Sequence, residues 1–474
     1  MALVPVPGAE LTATDLEGAI RAAIPAPVRD LLETFWSAGH AAYVVGGSLR
    51  DIALGRVAAD WDLATDARPE AMVALLPDAV YENRFGTVAV RRDGEVFEVT
   101  TFRSDHDYAD FRRPHRIEFG DTIELDLARR DFTCNAMAWG ATAAGVRAGG
   151  TPGLVDPFDG AADVERRVLR AVGDPRRRFE EDALRMVRAV RLAATLGFGV
   201  EAATLAGIQA RADLVRHLSG ERIATELDRL LAADRPSTGL RLMSDTDVLR
   251  GISPELAAQR GIPQNKVPGE DLWDHTLRTV DAAPAGRPIV RLAALLHDIG
   301  KPATFADGHF IGHDAVGAEL AGAFLDRLRS PRSVRERIVH LIRNHMFSYE
   351  PNWSAAAVRR FIGKISLDGA ATESIDELFD LRAADNVGSG LPADAGRLAE
   401  IRGRVAEALA EGVVLDRRDL AVDGADLMQE LGIEQGPRLG RMLDAMLERV
   451  QADPALNDRP SLLLIAQAML TDEA

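Results

Sequence analysis

Cysteine, aromatic residues and long apolar runs are all scarce in this sequence. One cysteine, Cys134, occurs among 474 residues, so no internal disulfide can form and a disulfide-stabilised scaffold is excluded. No apolar stretch approaches the ~20 residues that span a bilayer, and the N-terminus shows no basic segment followed by an apolar one. These absences predict a cytoplasmic protein with no membrane partner.

Basic residues are also in deficit. The chain has 56 Lys and Arg against 73 Asp and Glu, which gives a formal net charge of −17. Net charge governs solubility, whereas binding depends on where the cations cluster. Arginines crowd the stretch from Arg166 to Arg191, while the last third of the chain is acidic. We interpret the arginine-rich stretch as a phosphate-binding surface, with solvated, ion-paired helix faces as the alternative.

The length of the chain predicts several domains, because one hydrophobic core does not serve 474 residues. Strand-like runs are confined to the first third, and the pattern after Asp131 is helical. We therefore predict a multidomain α+β protein in which a mixed-sheet head precedes all-α domains. The predicted segments are a flexible lead-in at 1–26, the head at 27–164, a helical neck at 165–262, a further helical domain at 263–390 and a helical tail at 391–474.

Four local predictions position the residues discussed below. A buried strand, Ala42 to Val45, ends at Gly46-Gly47, and a helix follows from Ser48 to Leu54. Another strand is expected from Asp60 to Thr65. The polar stretch 103–120 has no clear period and is predicted to be a loop. Further strands are predicted at 79–82, 87–91 and 96–102, and amphipathic tail helices at 424–431 and 439–450.

The first candidate site combines a glycine turn with paired carboxylates. Gly46-Gly47 lets the backbone approach a phosphate closely at a helix start, although a Gly-Gly pair alone is weak evidence for phosphate binding. Asp60 and Asp62, two residues apart on a strand, point to the same face. Two such acids repel unless cations lie between them, and Mg²⁺ prefers carboxylate and phosphate oxygens. Glu98 is a candidate third ligand, with an ordinary solvent-facing residue as the alternative.

The sequence resembles the class II CCA-adding enzyme and bacterial poly(A) polymerase family. Five segments carry the resemblance in the family's order over about 180 residues. They are Gly46-Gly47-Ser48-Leu49-Arg50-Asp51 with Leu54-Gly55-Arg56 and Asp60-Trp61-Asp62; Arg129-Arg130-Asp131-Phe132-Thr133-Cys134-Asn135-Ala136; Asp156-Pro157-Phe158-Asp159-Gly160 with Leu169-Arg170-Ala171-Val172-Gly173; Glu181-Asp182-Ala183-Leu184-Arg185-Met186-Val187-Arg188; and Glu221-Arg222-Ile223-Ala224-Thr225-Glu226-Leu227.

The resemblance implies a head with the DNA polymerase beta-like nucleotidyltransferase fold and a neck that selects the nucleobase and binds RNA. It implies that Asp60 and Asp62 are catalytic Mg²⁺ ligands, while Glu98 is included among the catalytic candidates only from its position on a later strand. The residues expected to bind nucleotide are Gly46, Gly47, Ser48, Arg50, Arg129, Asp131, Asn135, Asp182, Arg185 and Arg188. The expected partners are tRNA, CTP and ATP, with neither DNA nor a membrane.

Asp182 and Arg185 suggest how C and A are chosen without a template. Three residues apart on a predicted helix, they emerge on one face. A carboxylate accepts from an exocyclic amine and a guanidinium donates to ring acceptors, a pattern that cytosine and adenine match and uracil and guanine do not. An ordinary helical ion pair is the alternative, but the resemblance implies base-reading roles at these two positions. Arg188, one turn further on, is expected to touch phosphate or base.

The stretch 103–120 resembles the flexible loop between the family's first two motifs. Its residues include Tyr108, Asp110, Arg112, Arg113 and Pro114. Members that add only the two cytidines have a shortened loop, so its presence favours addition of the full CCA. A surface excursion without function is the alternative.

The second candidate site resembles the metal site of HD phosphohydrolases. An apolar run leads into His297-Asp298, a pattern that places imidazole and carboxylate ligands at a buried helix end. The expected ligands of a divalent transition metal are His275, His297, Asp298 and Asp385. His313 and His345 match positions that bind a second metal in two-metal members. The implied reactions are hydrolysis of 2′,3′-cyclic phosphates, 2′-nucleotides or terminal phosphates, and a vestigial site is the alternative.

The combined prediction is a CCA-adding tRNA nucleotidyltransferase with an HD phosphohydrolase domain. A poly(A) polymerase shares all five motifs and is the nearest alternative. A phosphohydrolase whose head merely binds RNA is the alternative from another class.

Overall fold

The computed structural model describes residues 13–83, 86–108, 114–264, 266–367, 371–410 and 417–472. The chain forms two compact units. The first comprises Met1–Leu230 and Thr238–Ile252, and the second comprises Leu231–Ser237 and Ser253–Ala474. Within the described ranges, no helix is both long enough and apolar enough to cross a membrane.

A seven-stranded mixed sheet organises the first part of the chain. The strands are β1 Ala42–Val45, β2 Asp62–Thr65, β3 Ala79–Asn83, β4 Thr87–Arg92, β5 Glu95–Thr101, β6 Arg103–Tyr108, β7 Pro114–Phe119, β8 Ala138–Ala141, β9 Gly153–Val155, β10 Val168–Leu169 and β11 Gly199–Val200. The order in the large sheet is β3-β4-β5-β2-β1-β8-β9. β1 is antiparallel to β2 and β8, and β2 is parallel to β5. The predicted mixed-sheet head is confirmed, with β2 and β1 at the centre.

Helices occupy most of the rest of the described chain. Up to residue 252 they are α1 Ala13–Ala23, α2 Ala26–Ala38, α3 Gly47–Ala53, α4 Pro69–Leu75, α5 Ile123–Ala128, α6 Ala143–Arg147, α7 Gly160–Glu165, α8 Pro175–Glu181, α9 Leu184–Leu196, α10 Ala202–Arg211, α11 Gly220–Leu231, α12 Pro236–Asp245 and α13 Val248–Ile252, with 3₁₀ turns at Thr133–Asn135 and Ala212–His217. The expectation of a helical protein after residue 131 is confirmed, apart from four short strands.

The second unit is helical in its described residues. Its helices are α14 Pro254–Ala257, α15 Leu272–Ala282, α16 Pro288–Leu296, α17 Lys301–Thr304, α18 His313–Arg327, α19 Arg332–Asn344, α20 Ala355–Ile365, α21 Ala371–Gly388, α22 Leu398–Ala410, α23 Gly424–Leu431, α24 Pro437–Ala452 and α25 Arg459–Asp472, with 3₁₀ turns at Arg417–Asp419 and Pro454–Leu456. The two predicted tail helices are confirmed as α23 and α24. They share an apolar core with α25 that includes Leu427, Met446 and Leu462.

Two predictions of irregular structure were wrong. α1 lies inside the stretch predicted to be a flexible lead-in. Its Leu16 and Ile20 are buried, and their spacing of four residues is typical of the buried face of a helix. The stretch predicted to be a loop contains the antiparallel hairpin β6–β7. The alternation of apolar and polar residues in β7 covers only Ile117-Glu118-Phe119, and β6 has none, which is too little to predict a hairpin. Asp110, Arg112 and Arg113 lie outside the described residues.

The pairing of β1 with β8 requires a glycine at position 140. A Cβ at Gly140 would overlap the carbonyl oxygen of Ala42 on the neighbouring strand. We expect Gly140→Ala to destabilise the protein by ~1–3 kcal/mol through this overpacking. Gly199→Ala is the matched control, because a Cβ there meets nothing within 4 Å. Denaturant titration should show a change of at most ~0.5 kcal/mol for the control; equal losses would contradict the steric explanation.

Candidate functional site

The two acids of the first site lie at the start of β2. The strand begins at Asp62, not at Asp60 as predicted, so Asp60 lies in the approach to the strand. Asp62 is paired in register with Glu98 on the parallel strand β5. Because laterally paired residues project to the same face, Asp62 and Glu98 are neighbours on the sheet. All three carboxylates are exposed, so they are accessible to ions and substrate.

The surroundings of Asp62 disfavour its ionised carboxylate, so a bound cation would stabilise it. Partial burial raises its pKa, Arg130 opposes this, and the nearby Asp60 carboxylate raises it further. Carboxylate oxygens are the ligands that Mg²⁺ prefers, so this donor set fits that ion. Within the described chain, groups of three metal-ligand atoms converge in the second unit. A metal in the head would therefore need further oxygens from substrate or water.

The predicted glycine turn lies between β1 and α3. Gly46 has φ +82°, a conformation that a side chain rarely adopts, and a Cβ there would come within 2.8 Å of Arg130 Nη1. Ser48, in the first turn of α3, is buried, and its hydroxyl oxygen has no hydrogen-bond partner among the described residues. Val45, the last residue of β1, is paired with Asp62. An unsatisfied hydroxyl and the start of a helix therefore lie beside the carboxylates, an arrangement suited to a phosphate.

A chain of hydrogen bonds connects this turn to α9. Arg50 Nη1 donates to Asn135 Oδ1 at 2.6 Å, and Asn135 Nδ2 donates to Asp131 Oδ1 at 3.1 Å. Arg188 Nε donates to Asp131 Oδ2 at 2.7 Å. Burial alone would raise the pKa of Asp131, but Arg188 and Asn135 hold it well below its ordinary value. Four of the predicted nucleotide-binding residues thus form one ordered, charged network.

Arg185 faces the protein rather than solvent. Its guanidinium donates to Glu181 Oε2 at 2.6 Å and to the carbonyl oxygen of Arg129 at 2.8 Å. The side chain is 9% exposed. Arg129 itself donates through Nε to Asp126 Oδ1 at 2.9 Å. Arg185 therefore fixes the backbone that precedes Asp131, a role that sequence reasoning did not identify.

Asp182 was wrongly predicted to lie on the same helix as Arg185. It is in an extended conformation between α8 and α9, and one of its oxygens accepts from the Leu184 amide at 3.0 Å. The other oxygen accepts from Arg222 Nη2 at 2.6 Å. The carboxylate of Asp182 is thus paired with Arg222, while Arg185 is paired with Glu181. The alternative of a helical ion pair between Asp182 and Arg185 is therefore wrong, and the base-reading role of these two residues stays a prediction.

Much of the arginine-rich stretch is engaged with carboxylates. Arg170 contacts Asp163 at 2.7 Å, and Arg191 contacts Glu226 at 2.5 Å. Exposed residues of the stretch include Arg176 and Arg177. Many of these residues therefore match the ion-paired alternative. The phosphate-binding interpretation applies only to the exposed arginines.

The predicted HD ligands converge in the second unit. α15 begins with a capping box between Asp271 and Asp274, which orients the helix that carries His275. The buried helix α16 ends at Leu296, and its C-cap residue His297 is followed by Asp298. Two groups of three ligands have their atoms within 4.8 Å of one another. They are His275 with His297 and Asp385, and Asp298 with His313 and His345.

Asp298 joins the two groups through its two oxygens. Oδ2 lies 3.2 Å from His275 Nε2 and 3.1 Å from His297 Nε2. Oδ1 lies 3.6 Å from His313 Nε2 and 3.8 Å from His345 Nε2. Oδ1 and the Nε2 atoms of His313 and His345 are buried, and none of them forms a hydrogen bond with a residue in the described ranges. Unsatisfied ligand atoms at this spacing fit a site for divalent cations.

Backbone carbonyls orient the histidine rings. Nδ1 of His297 lies 2.8 Å from the Ala294 oxygen, Nδ1 of His313 lies 2.8 Å from the Phe310 oxygen, and Nδ1 of His345 contacts Ile342 at 2.6 Å. A proton on Nδ1 leaves the Nε2 lone pair for a metal. Burial lowers the pKa of His345 to about 4, which favours the neutral, ligating form.

Two lysines beside this cluster were not identified from the sequence. Lys301 Nζ lies 2.6 Å from Asp298 Oδ2, and Lys266 Nζ lies 3.7 Å from Asp385 Oδ1. Both border a cavity of about 310 Å³ that the ligands open onto. The position of Lys301 four residues after His297 was a usable signal, whereas nothing local marked Lys266. The cavity thus combines metal ligands with cations suited to a phosphate.

Three family models match consecutive parts of the chain. The model described as "Poly A polymerase head domain" matches residues 42–170. The model described as "Probable RNA and SrmB- binding site of polymerase A" matches residues 197–260, and "HD domain" matches residues 272–388.

Relatives named CCA-adding enzyme match nearly the entire chain. That of Streptococcus thermophilus is 32% identical over 440 residues, covering 93% of this chain and 96% of the relative. That of Lacticaseibacillus paracasei is 33% identical over 456 residues, covering 95% and 97%. The crystal structure of the Bacillus stearothermophilus CCA-adding enzyme in complex with CTP has a TM-score of 0.68 at 27% identity, covering 95% of this chain and 99% of that chain. The similarity therefore extends well beyond the motifs.

Proposed function

Because this chain belongs to the family of CCA-adding enzymes, we propose that it adds C, C and A to tRNA 3′ ends from CTP and ATP without a nucleic-acid template. The RNA 3′ hydroxyl attacks the α-phosphate of the nucleotide, and pyrophosphate leaves. The observation that carries this proposal is the row of Asp62 and Glu98 beside the turn at Gly46. That row supplies carboxylates where a triphosphate and a hydroxyl can meet.

Each part of the site has a proposed role. Asp60, Asp62 and Glu98 would hold Mg²⁺, which neutralises charge on the phosphates and activates the hydroxyl when it is bound. Gly46, Gly47 and Ser48 accommodate the triphosphate through the turn and the unsatisfied hydroxyl. A further set orients the sugar and phosphates through the network described above: Arg50, Asp131, Asn135 and Arg188.

Base selection requires a rearrangement at Asp182. The carboxylate would exchange Arg222 for the exocyclic amine of the base, while Arg185 would offer a guanidinium N–H to a ring acceptor. Buried polar groups left unpaired by uracil or guanine would disfavour those bases strongly. Asp182 and Arg185 would therefore act together on the base only after the nucleotide has bound.

Incubation with single nucleotides tests the nucleotidyltransferase proposal. A tRNA that lacks its CCA end should incorporate CTP, and a tRNA ending in CC should incorporate ATP. UTP and GTP should be used at least ~10²-fold less well. Product length on a sequencing gel measures this, and equal use of UTP or GTP would contradict base selection. Long adenylate tails on arbitrary RNA, without use of CTP, would instead identify a poly(A) polymerase.

We also propose that the second unit hydrolyses phosphoester bonds. The specific observation is the pair of ligand groups joined by Asp298, whose unsatisfied atoms fit two divalent transition metals. The candidate substrates are 2′,3′-cyclic phosphates, 2′-nucleotides and terminal phosphates, as the resemblance implies. Lys266 and Lys301 would attract the anionic group.

The proposed division of labour follows the predicted domain boundaries. Residues 27–164 would transfer the nucleotide and residues 165–262 would choose the base and bind RNA. Residues 263–390 would hydrolyse phosphoesters, and residues 391–474 would hold RNA or pack against the preceding domain. A cytoplasmic location, where tRNA and nucleotides occur together, is part of this proposal.

A further inference from the structure

The sheet face that carries the catalytic carboxylates continues onto the outer strands β5, β4 and β3. Asp62 is paired with Glu98, and Glu98 is paired in turn with Ala89 on β4. Ala89 is paired with Val80 on β3. Because paired residues project to the same face, these four side chains form one row across the sheet.

A second row lies two residues further along β4 and β5. Arg91 is paired with Val96 there. Val80 and Ala89 of the first row, Arg91 and Val96 of the second, and Asp78 line a concavity of about 610 Å³. Val80 is 65% exposed and Val96 is 56% exposed. The opposite face of β4 and β5 is buried, through Val88, Val90, Phe97 and Val99. One face of these strands forms the core and the other is open.

The open face carries a cation without a described carboxylate partner. Arg91 is exposed, and no ion pair or hydrogen bond of its guanidinium occurs within the described part of the chain. Asp78, the acid in the concavity, contacts Arg92 Nη1 at 3.0 Å and is thus already paired. A surface with apolar side chains and one available guanidinium suits bases and a backbone phosphate.

The geometry of nucleotidyl transfer indicates from which side of the catalytic carboxylates the RNA hydroxyl approaches. The turn at Gly46 and the network through Asp131 lie on the side of β1 and β8, away from β5. In an in-line displacement the attacking and leaving oxygens lie on opposite sides of the phosphorus. With the pyrophosphate on the β1 side, the attacking hydroxyl therefore approaches from the side of β5.

We propose that the open face of β3, β4 and β5 binds the single-stranded 3′ end of the acceptor RNA, with Arg91 on a backbone phosphate. The inference rests on the proposed nucleotidyltransferase function and assigns a position to its second substrate. Three strand spacings of ~4.8 Å separate Asp62 from Val80, a distance of about 14 Å. At ~3.4 Å per stacked nucleotide, this length accommodates about four nucleotides. The face thus matches a short overhang rather than a duplex.

Charge substitutions on this face test the inference. The probes are an acceptor-stem minihelix with a single-stranded 3′ end that terminates in CC, and the same duplex with a blunt end. Arg91→Glu should raise the Kd and KM for the overhang RNA roughly tenfold and reduce the salt dependence of log K by about 0.7, the loss of one single-strand phosphate contact. Val80→Lys should strengthen binding and steepen that dependence.

Several comparisons separate phosphate binding from a structural role. Arg147→Glu on α6 makes the same charge change at another exposed arginine and should leave both quantities at wild-type values. Neither substitution on the open face should alter the KM for ATP or the binding of blunt RNA. If Arg91→Glu behaves like Arg147→Glu, the inference is overturned. The same conclusion follows if Arg91→Glu changes the oligomeric state and leaves RNA binding unaltered, since a second copy would then cover the face.

Equilibrium binding keeps this test distinct from that of the proposed function. A wild-type protein that binds the overhang RNA but adds no nucleotide would overturn the nucleotidyltransferase proposal. The Arg91→Glu measurement would still show whether the open face binds RNA. A wild-type protein that adds CTP and ATP normally, with an unchanged KM for RNA in Arg91→Glu, would overturn only the inference.

Discussion

Replacement of both Asp60 and Asp62 by asparagine abolishes nucleotide addition and leaves hydrolysis by the second unit intact. We expect the rate of CTP incorporation to fall by at least ~10³-fold, because amides cannot supply the charge that holds the catalytic cations. The phosphohydrolase ligands belong to a separate compact unit, so their activity should be unchanged. Extension of truncated tRNA and hydrolysis of a 2′,3′-cyclic nucleotide, measured on the same preparation, provide the two readouts.

Two glutamates on β5 provide the matched controls. Glu98 is paired with Asp62, whereas Glu95 is paired with Arg92 and lies on the opposite face. If Glu98 is a third ligand, Glu98→Gln reduces addition by ~10²-fold or more, while Glu95→Gln leaves it unchanged. Equal rates in both variants would assign Glu98 to the solvent-facing role that the sequence left open. Retention of addition in the double aspartate variant would contradict the assignment of the head.

Asp62→Asn alone should change the free energy of unfolding, and the direction of the change follows from the pKa of Asp62. The pKa of Asp62 is raised above its ordinary 3.8, so the folded state disfavours the ionised carboxylate. This penalty is absent at low pH, where the group is protonated in both states, and grows as pH rises from 3.8 through the folded pKa. Asp62→Asn should therefore stabilise the protein at neutral pH and lose that advantage in acid. Thermal unfolding at several pH values measures the difference, and a variant less stable at pH 7 would contradict it.

The residues of the first site were predictable where local pattern and chemistry agree. A short apolar run and the Gly-Gly turn after it predicted β1 and the start of α3, and the predicted runs at 79–82, 87–91 and 96–102 correspond to β3, β4 and β5. The beginning of β2 was placed two residues early. Strand ends depend on pairing, and the strand paired with β2 ends at Val45 opposite Asp62.

Predictions failed where distant residues decide the local structure. The sequence from Glu181 to Arg185 does not show that the helix is interrupted at Asp182. That break is stabilised by Arg222, forty residues away, and Arg185 turns inward toward the backbone of Arg129. The phosphate-binding interpretation of the arginine-rich stretch failed for several of its residues for the same reason, because they form ion pairs with Asp163 and Glu226. Charge counts along a chain do not show which charges are already neutralised.

The second site was predicted more completely because metal ligands restrict residue type. Six predicted ligands come from five separate elements, and the structure brings their atoms into two adjoining groups. Histidines and aspartates in a set order limit the possible chemistry before any fold is known. Lys266 could not be predicted in this way, because an isolated lysine carries no comparable restriction.

Asp298→Ala removes hydrolysis of phosphoesters and leaves nucleotide addition at wild-type rates. One oxygen of Asp298 faces His275 and His297, and the other faces the remaining two histidines, so the substitution disables both ligand groups. We expect a loss of at least ~10³-fold in hydrolysis of 2′,3′-cyclic phosphates. Elemental analysis after loading should give two divalent ions per chain in the wild type and fewer in the variant.

A second pair of variants guards against misfolding in that test. Asp298 also neutralises the buried Lys301, so its removal leaves an unpaired cation and lowers stability. His345→Gln spares that ion pair and should lose one metal, whereas His340→Gln on the same helix should lose none, because His340 contacts the Ile365 carbonyl oxygen. Added metal should raise the unfolding temperature of the wild type and of His340→Gln, since it binds only the folded state. The same metal should stabilise Asp298→Ala much less. Two ions retained in Asp298→Ala would contradict a metal site that depends on Asp298, whereas no ion bound by the wild type would favour a vestigial site.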